Sequence, residues 1–204
     1  MRLYHGTDFV GSKDLKVNKE KAIKPDTYTT KQIKNHDIKG KEPGSLGYGF
    51  YTFLDDPKIA YKFANKFLSD EKYNHTVVFE LEADVLSDNL LVLDGISEDS
   101  KRLNQWLHGS KVKKIVDYLA KKYSNQGPQK SLDGAMIELY CLTLKEKHLA
   151  KIKAVQAPTH TYIKDDVLHE SSILNGVEVL IKDPSIVKTG SFNIYKCPES
   201  DLKF

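Results

Sequence analysis

Leu46-Gly47-Tyr48-Gly49-Phe50-Tyr51-Thr52-Phe53-Leu54-Asp55-Asp56-Pro57-Lys58-Ile59-Ala60-Tyr61-Lys62-Phe63-Ala64 is the stretch from which the rest of the chain can be read. Gly49 to Leu54 is rich in aromatic residues and includes the β-branched Thr52, which predicts a strand. Asp55 or Asp56 can accept the first free N–H groups of a helix, and Pro57 suits the first helical position, where a missing N–H loses nothing. Ile59, Ala60, Phe63, Ala64 and Phe67 then recur at helical spacing, while Lys58, Lys62 and Lys66 fall on another face. A strand therefore passes directly into an amphipathic helix.

Toward the N-terminus, residues 11–48 carry many Lys, Asp and Thr, followed by Gly40, Pro43, Gly44 and Gly47, with few large apolar groups. This predicts a long loop, and loops of that length in a compact domain are usually lids or binding segments. Residues 24–48 are expected to cover a ligand, with Lys31, Lys34, Lys39 and Lys41 supplying positive charge. Leu3 to His5 reads as a brief buried strand closed by Gly6 and Thr7.

Toward the C-terminus, Thr76 to Leu81 and Leu90 to Leu93 read as strands. Glu98 to Leu107 and Val112 to Tyr123 read as helices parted by Gly109 and Ser110. Leu132 to Leu144 fits a helix or a strand. Short strands are expected at Val155 to Ala157 and Thr161 to Lys164, and clearer ones at Val177 to Ile181, bounded by Gly176 and Asp183-Pro184, and at Phe192 to Lys196. Strands thus enclose a helical middle, which predicts an α+β fold in one domain spanning 1–204, with a mobile loop at about 11–48 and a helical insertion at about 98–124.

Composition narrows the function classes. The 204 residues are 40% hydrophobic and 29% charged, a globular balance. The longest apolar runs fall far short of the roughly 20 residues that span a bilayer. The opening residues lack the apolar core of a secretory signal, so a cytoplasmic location without membrane partners is expected, with Cys141 and Cys197 as free thiols. The net charge of +3 does not single out a nucleic-acid binder. Arg2 and Arg102 are the only arginines, so nearly all positive charge is lysine, a point charge rather than a bidentate fork. No Gly-Lys-Ser/Thr precedes a helix, which excludes a Walker loop. The seven histidines form no His-x-x-x-His pair and there is no Cys-x-x-Cys, so no metal site is expected.

Three segments carry chemistry on apparent strands: Leu3-Tyr4-His5-Gly6-Thr7, Leu46-Gly47-Tyr48-Gly49-Phe50-Tyr51-Thr52, and Asn175-Gly176-Val177-Glu178-Val179. Singly, His5 can be a core histidine, Tyr51 a core aromatic, and Glu178 the outward member of an edge strand. Together and in this order they resemble the His-Tyr-Glu type of ADP-ribosyltransferase, the group that includes diphtheria toxin and the poly-ADP-ribose polymerases. The matching segments cover about 30 residues directly, and residues 85–155 match no motif of that family.

The resemblance implies a split, bent, mixed sheet flanked by helices, NAD as the donor, no metal, and mono-ADP-ribosylation of a protein, RNA or DNA acceptor. It implies Glu178, Tyr51 and His5 as the catalytic set. His5, Gly6, Thr7, Gly49, Tyr51 and Tyr61 would hold NAD. Glu178 would bond the 2′-hydroxyl of the nicotinamide ribose beside a developing oxocarbenium ion. The face of the Tyr51 ring would stack on nicotinamide, His5 would bond a ribose hydroxyl, and Gly6, lacking a Cβ, would let its backbone pair with the carboxamide. A stand-alone enzyme of this kind resembles a bacterial or phage effector or toxin, with an antitoxin or immunity protein as a possible partner. An alternative is a binding module for nucleotide or nucleic acid that keeps the fold without catalysis. A second branch of the superfamily opens with arginine and carries Ser-Thr-Ser. Arg2 fits it, but Phe50-Tyr51-Thr52 does not, and Ser171-Ser172 stands near the third segment instead. Position 176 is glycine, so the paired glutamates of arginine-modifying relatives are absent.

Overall fold

The computed structural model describes residues 1–8, 11–13, 29, 32, 42–65, 75–123, 130–160 and 174–195. Most of the expected 11–48 loop, including Lys31, Lys34, Lys39 and Lys41, lies outside these residues, as do Lys66, Phe67, the expected strand at 161–164, Ser171, Ser172, Lys196 and Cys197. The elements in chain order are strand β1 (Arg2–Asp8), strand β2 (Phe50–Leu54), helix α1 (Pro57–Asn65), strand β3 (Thr76–Glu82), strand β4 (Leu90–Val92), helices α2 (Glu98–Leu107), α3 (Lys113–Lys122) and α4 (Ser131–Glu146), then strands β5 (Ala154–Thr159), β6 (Gly176–Ile181) and β7 (Asn193–Tyr195).

The strands form one mixed sheet in the order β4-β5-β6-β2-β1-β3-β7, with β4 and β5 parallel and every other neighbour antiparallel. The α+β reading holds, and the helices α2 to α4 fall between β4 and β5 as a block. No helix among the described residues is long and apolar enough to cross a membrane.

The pivotal stretch folds as read. Asp56 accepts the Ile59 N–H at 2.9 Å, so the carboxylate caps α1 with Pro57 at its first position. Ile59, Ala60 and Ala64 are buried, and Ile59 and Ala60 pack with Tyr4, Phe53 and Val78 from β1, β2 and β3.

Three expectations change. β1 does not stop at Gly6 but continues to Asp8, because all seven of its residues pair with β3. Leu132 to Leu144 belongs to a helix buried on two sides. Ala135 and Leu139 of α4 pack with Tyr48, Leu119 and Tyr123, whereas Ile137, Tyr140 and Cys141 pack with Leu91, Val155 and Leu180 of the sheet. Glu178 is not on an edge strand, since β6 lies between β5 and β2. Cys141 is a free, buried thiol whose pKa burial pushes up to about 12, so it packs as an apolar group.

Candidate active site at the parting of β1 and β2

β1 and β2 run together for only two pairs, Leu3 with Leu54 and Tyr4 with Phe53. Arg2 accepts the Asp55 N–H at 3.1 Å, so the backbone groups of Arg2, Tyr4 and, by alternation, Gly6 turn toward β2. The next pair in register, Gly6 with Tyr51, is not made. Instead the His5 Nδ1–H donates to the Tyr51 carbonyl at 2.7 Å, and the Gly6 N–H and C=O point into the parting without a strand partner among the described residues.

His5 is thereby fixed in one tautomer, with Nε2 left as an acceptor. Its ring packs against Phe50 with centroids 4.2 Å apart. Burial lowers its pKa to about 4 from 6.5, partly offset by the Tyr51 carbonyl, so the imidazole is neutral at pH 7. Between these two values the unfolded chain binds a proton that the folded chain refuses. The contribution of His5 to stability is therefore full above about pH 6.5 and falls as pH drops toward 4, by roughly 1.4 kcal/mol per pH unit at most. Urea midpoints across this window are expected to show that slope, and His5→Asn, whose amide N–H can replace Nδ1–H, is expected to flatten it. An unchanged slope in the Asn variant would assign it to another group.

Glu178 and Tyr51 share the opposite face of the sheet. Tyr51 pairs with Leu180, two residues from Glu178, while Val179 and Ile181 join the cluster of Leu3, Phe50 and Phe79 on the other side. Glu178 is only 9% exposed, an unusual place for a carboxylate on a central strand. Its Oε2 accepts the Ser45 hydroxyl at 3.2 Å. Ser45 sits in a tight turn closed by two bonds, Gly44 N–H to Gly47 C=O at 3.2 Å and Gly47 N–H to Gly44 C=O at 3.1 Å. The Tyr51 hydroxyl reaches this turn, donating to the Gly47 carbonyl and accepting the Leu46 N–H, both at 2.9 Å. Burial foremost, with the Glu178 charge, holds the phenol protonated.

The stacking role expected of Tyr51 thus comes with a second one for its hydroxyl. Tyr51→Phe, which a pure stacking role would tolerate, is expected to cost about 1–3 kcal/mol, because Leu46 N–H and Gly47 C=O each lose a partner. A wild-type urea midpoint in the Phe variant would remove the hydroxyl from this account.

The remaining expected ligand residues have local explanations in the fold. A Cβ on Gly6 would lie 1.9 Å from the Ala60 carbonyl oxygen of α1, so the missing side chain admits the helix. A Cβ on Gly49 would lie 2.4 Å from the Ile181 carbonyl oxygen. Thr7 pairs with Val77 in β1 and is partly buried. Tyr61 packs beside the Tyr4, Phe53 and Ile59 cluster. Sequence reasoning missed Ser45, Glu138 and Lys182. Glu138 in α4 accepts the Tyr48 N–H and pairs with Lys182, just past β6. A Gly-Ser-x-Gly turn and a single carboxylate, Glu138, within the apolar run from Ala135 to Leu144 were the available signals.

Comparison of the chain with known protein families, with curated proteins and with solved structures gives no match.

Proposed function

We propose that the chain is an NAD-dependent mono-ADP-ribosyltransferase acting on a macromolecular acceptor. The observation that carries this reading is the adjacency of β6, β2 and β1, which brings Glu178, Tyr51 and His5 onto three neighbouring strands. A nearly buried carboxylate on one side of the parting and a neutral imidazole on the other, with a Gly6 N–H and C=O between that have no strand partner among the described residues, suit a bent dinucleotide. The Gly6 pair is complementary to a carboxamide, which offers one acceptor and N–H donors.

In the transfer, the bond between the ribose anomeric carbon and nicotinamide breaks, and nicotinamide leaves with the electron pair. The acceptor nucleophile forms the new bond to that carbon and releases its proton to solvent water. Glu178 faces the positive charge that develops on the sugar, where a fixed negative charge lowers the barrier most. His5 Nε2 accepts a ribose hydroxyl. Tyr51 supplies an aromatic wall, and its hydroxyl holds the turn that carries Ser45.

The test is release of nicotinamide from NAD by the purified chain, followed by mass spectrometry of a cell extract treated with labelled NAD to find the acceptor. Release with labelled acceptor is the expected outcome. NAD binding without release would leave the fold as a binding module and end the transferase reading.

A further inference from the structure

The Tyr48 backbone is gripped at both ends by one ion pair. Glu138, 1% exposed, accepts its N–H at 2.6 Å, and Lys182, whose side chain is 11% exposed, donates to its C=O at 3.2 Å while bonding Glu138. Two glycines let the turn lie this close to α4. A Cβ on Gly134 would fall 1.8 Å from the Gly44 carbonyl oxygen. A Cβ on Gly47, where φ is +111°, would fall 2.4 Å from Glu138 Oε1. The turn so held presents Ser45 to Glu178 and receives the Tyr51 hydroxyl. Apolar residues of similar volume in place of a buried ion pair are often neutral or stabilising, so what this pair adds is its hold on the Tyr48 N–H and C=O.

We propose that Glu138 and Lys182 are positioning residues, which set Glu178 and Tyr51 for the transfer by locking the 44–48 turn against α4 and the end of β6. The inference rests on the transferase reading above. The bonds they make run to the Tyr48 backbone and to each other, so the pair acts through Tyr48 and the turn. A displacement of the turn shifts the hydroxyl that bonds Glu178 and the carbonyl that bonds Tyr51 together. The pair should therefore govern the chemical step more than donor binding, since misplacement on the scale of 1 Å costs up to about 10²-fold in rate.

The decisive variant is E138L/K182M, which keeps an apolar filling of the same space but releases both Tyr48 backbone groups. Nicotinamide release is measured for it and for the wild type at a temperature where circular dichroism shows each folded. The expected result is a kcat lower by roughly ten- to a hundredfold, with KM for NAD within about threefold of wild type, the pattern of a lost transition-state interaction. A second pair, E138Q/K182M, buries no charge and keeps an acceptor for the Tyr48 N–H. It is expected to lie between the two, and it decides the matter if the Leu/Met pair does not fold. Wild-type kcat in a folded variant, with kcat of Glu178→Gln lowered by on the order of 10²-fold or more, overturns the positioning role and leaves the transferase reading intact. No nicotinamide release by the wild type overturns both.

Discussion

Glu178→Gln is expected to lower kcat for nicotinamide release by on the order of 10²–10³-fold, with KM for NAD close to the wild-type value. The substitution is nearly isosteric, and the amide oxygen can still accept the Ser45 hydroxyl that now reaches Oε2 at 3.2 Å. What it removes is a negative charge, and that charge matters mainly once the sugar has become cation-like. Loss of an interaction made only in the transition state lowers kcat and kcat/KM together and leaves ground-state binding alone. Thermal stability should change little, since β6 keeps its pairing with β5 and β2. Wild-type turnover in the Gln variant would remove Glu178 from the reaction. Attention would then pass to Asp165, Asp166 and Glu170, which lie outside the described residues.

How much of this was legible differs by element, and for physical reasons. The run from Phe50 through Pro57 to Ala64 was readable because each signal there is local: aromatic strand residues, a capping carboxylate, proline at the first helical position and one apolar stripe. α4 was not decidable because it is packed on two sides, by Leu119 and Tyr123 on one and by Leu91, Val155 and Leu180 on the other. A helix packed on two sides loses the single apolar stripe that marks a surface helix. The three site strands were found through residues whose chemistry is conspicuous in sequence. Their adjacency was not, since β6 joins β2 across more than a hundred residues. The supporting groups were hidden for the same reason. Ser45 and Glu178 are 133 positions apart, and Tyr48 and Lys182 are 134, so nothing near either one announces its partner.

Gly6→Ala is expected to be among the most destabilising single-methyl additions in the molecule, costing at the upper end of the roughly 1–3 kcal/mol typical of overpacking or more. The new Cβ would stand 1.9 Å from the Ala60 carbonyl oxygen and 2.7 Å from its carbon. Those are backbone atoms and cannot rotate away. Neither side can yield easily. β1 is held by seven register pairs to β3, and α1 is fixed by the Asp56 cap and by Ile59 and Ala60 packed over Tyr4 and Phe53. Ala60→Gly should give no rescue, because the obstacle is the carbonyl and not the Ala60 methyl. Gly95→Ala supplies the comparison: nothing lies within 4 Å of its Cβ position, and its φ of +85° alone should cost about 1–2 kcal/mol. Urea denaturation of the three variants distinguishes the cases. A Gly6→Ala midpoint no lower than that of Gly95→Ala, or recovery by Ala60→Gly, would mean that α1 does not press on β1 as described. The glycine would then be explained by a ligand at its Cα rather than by the helix above it.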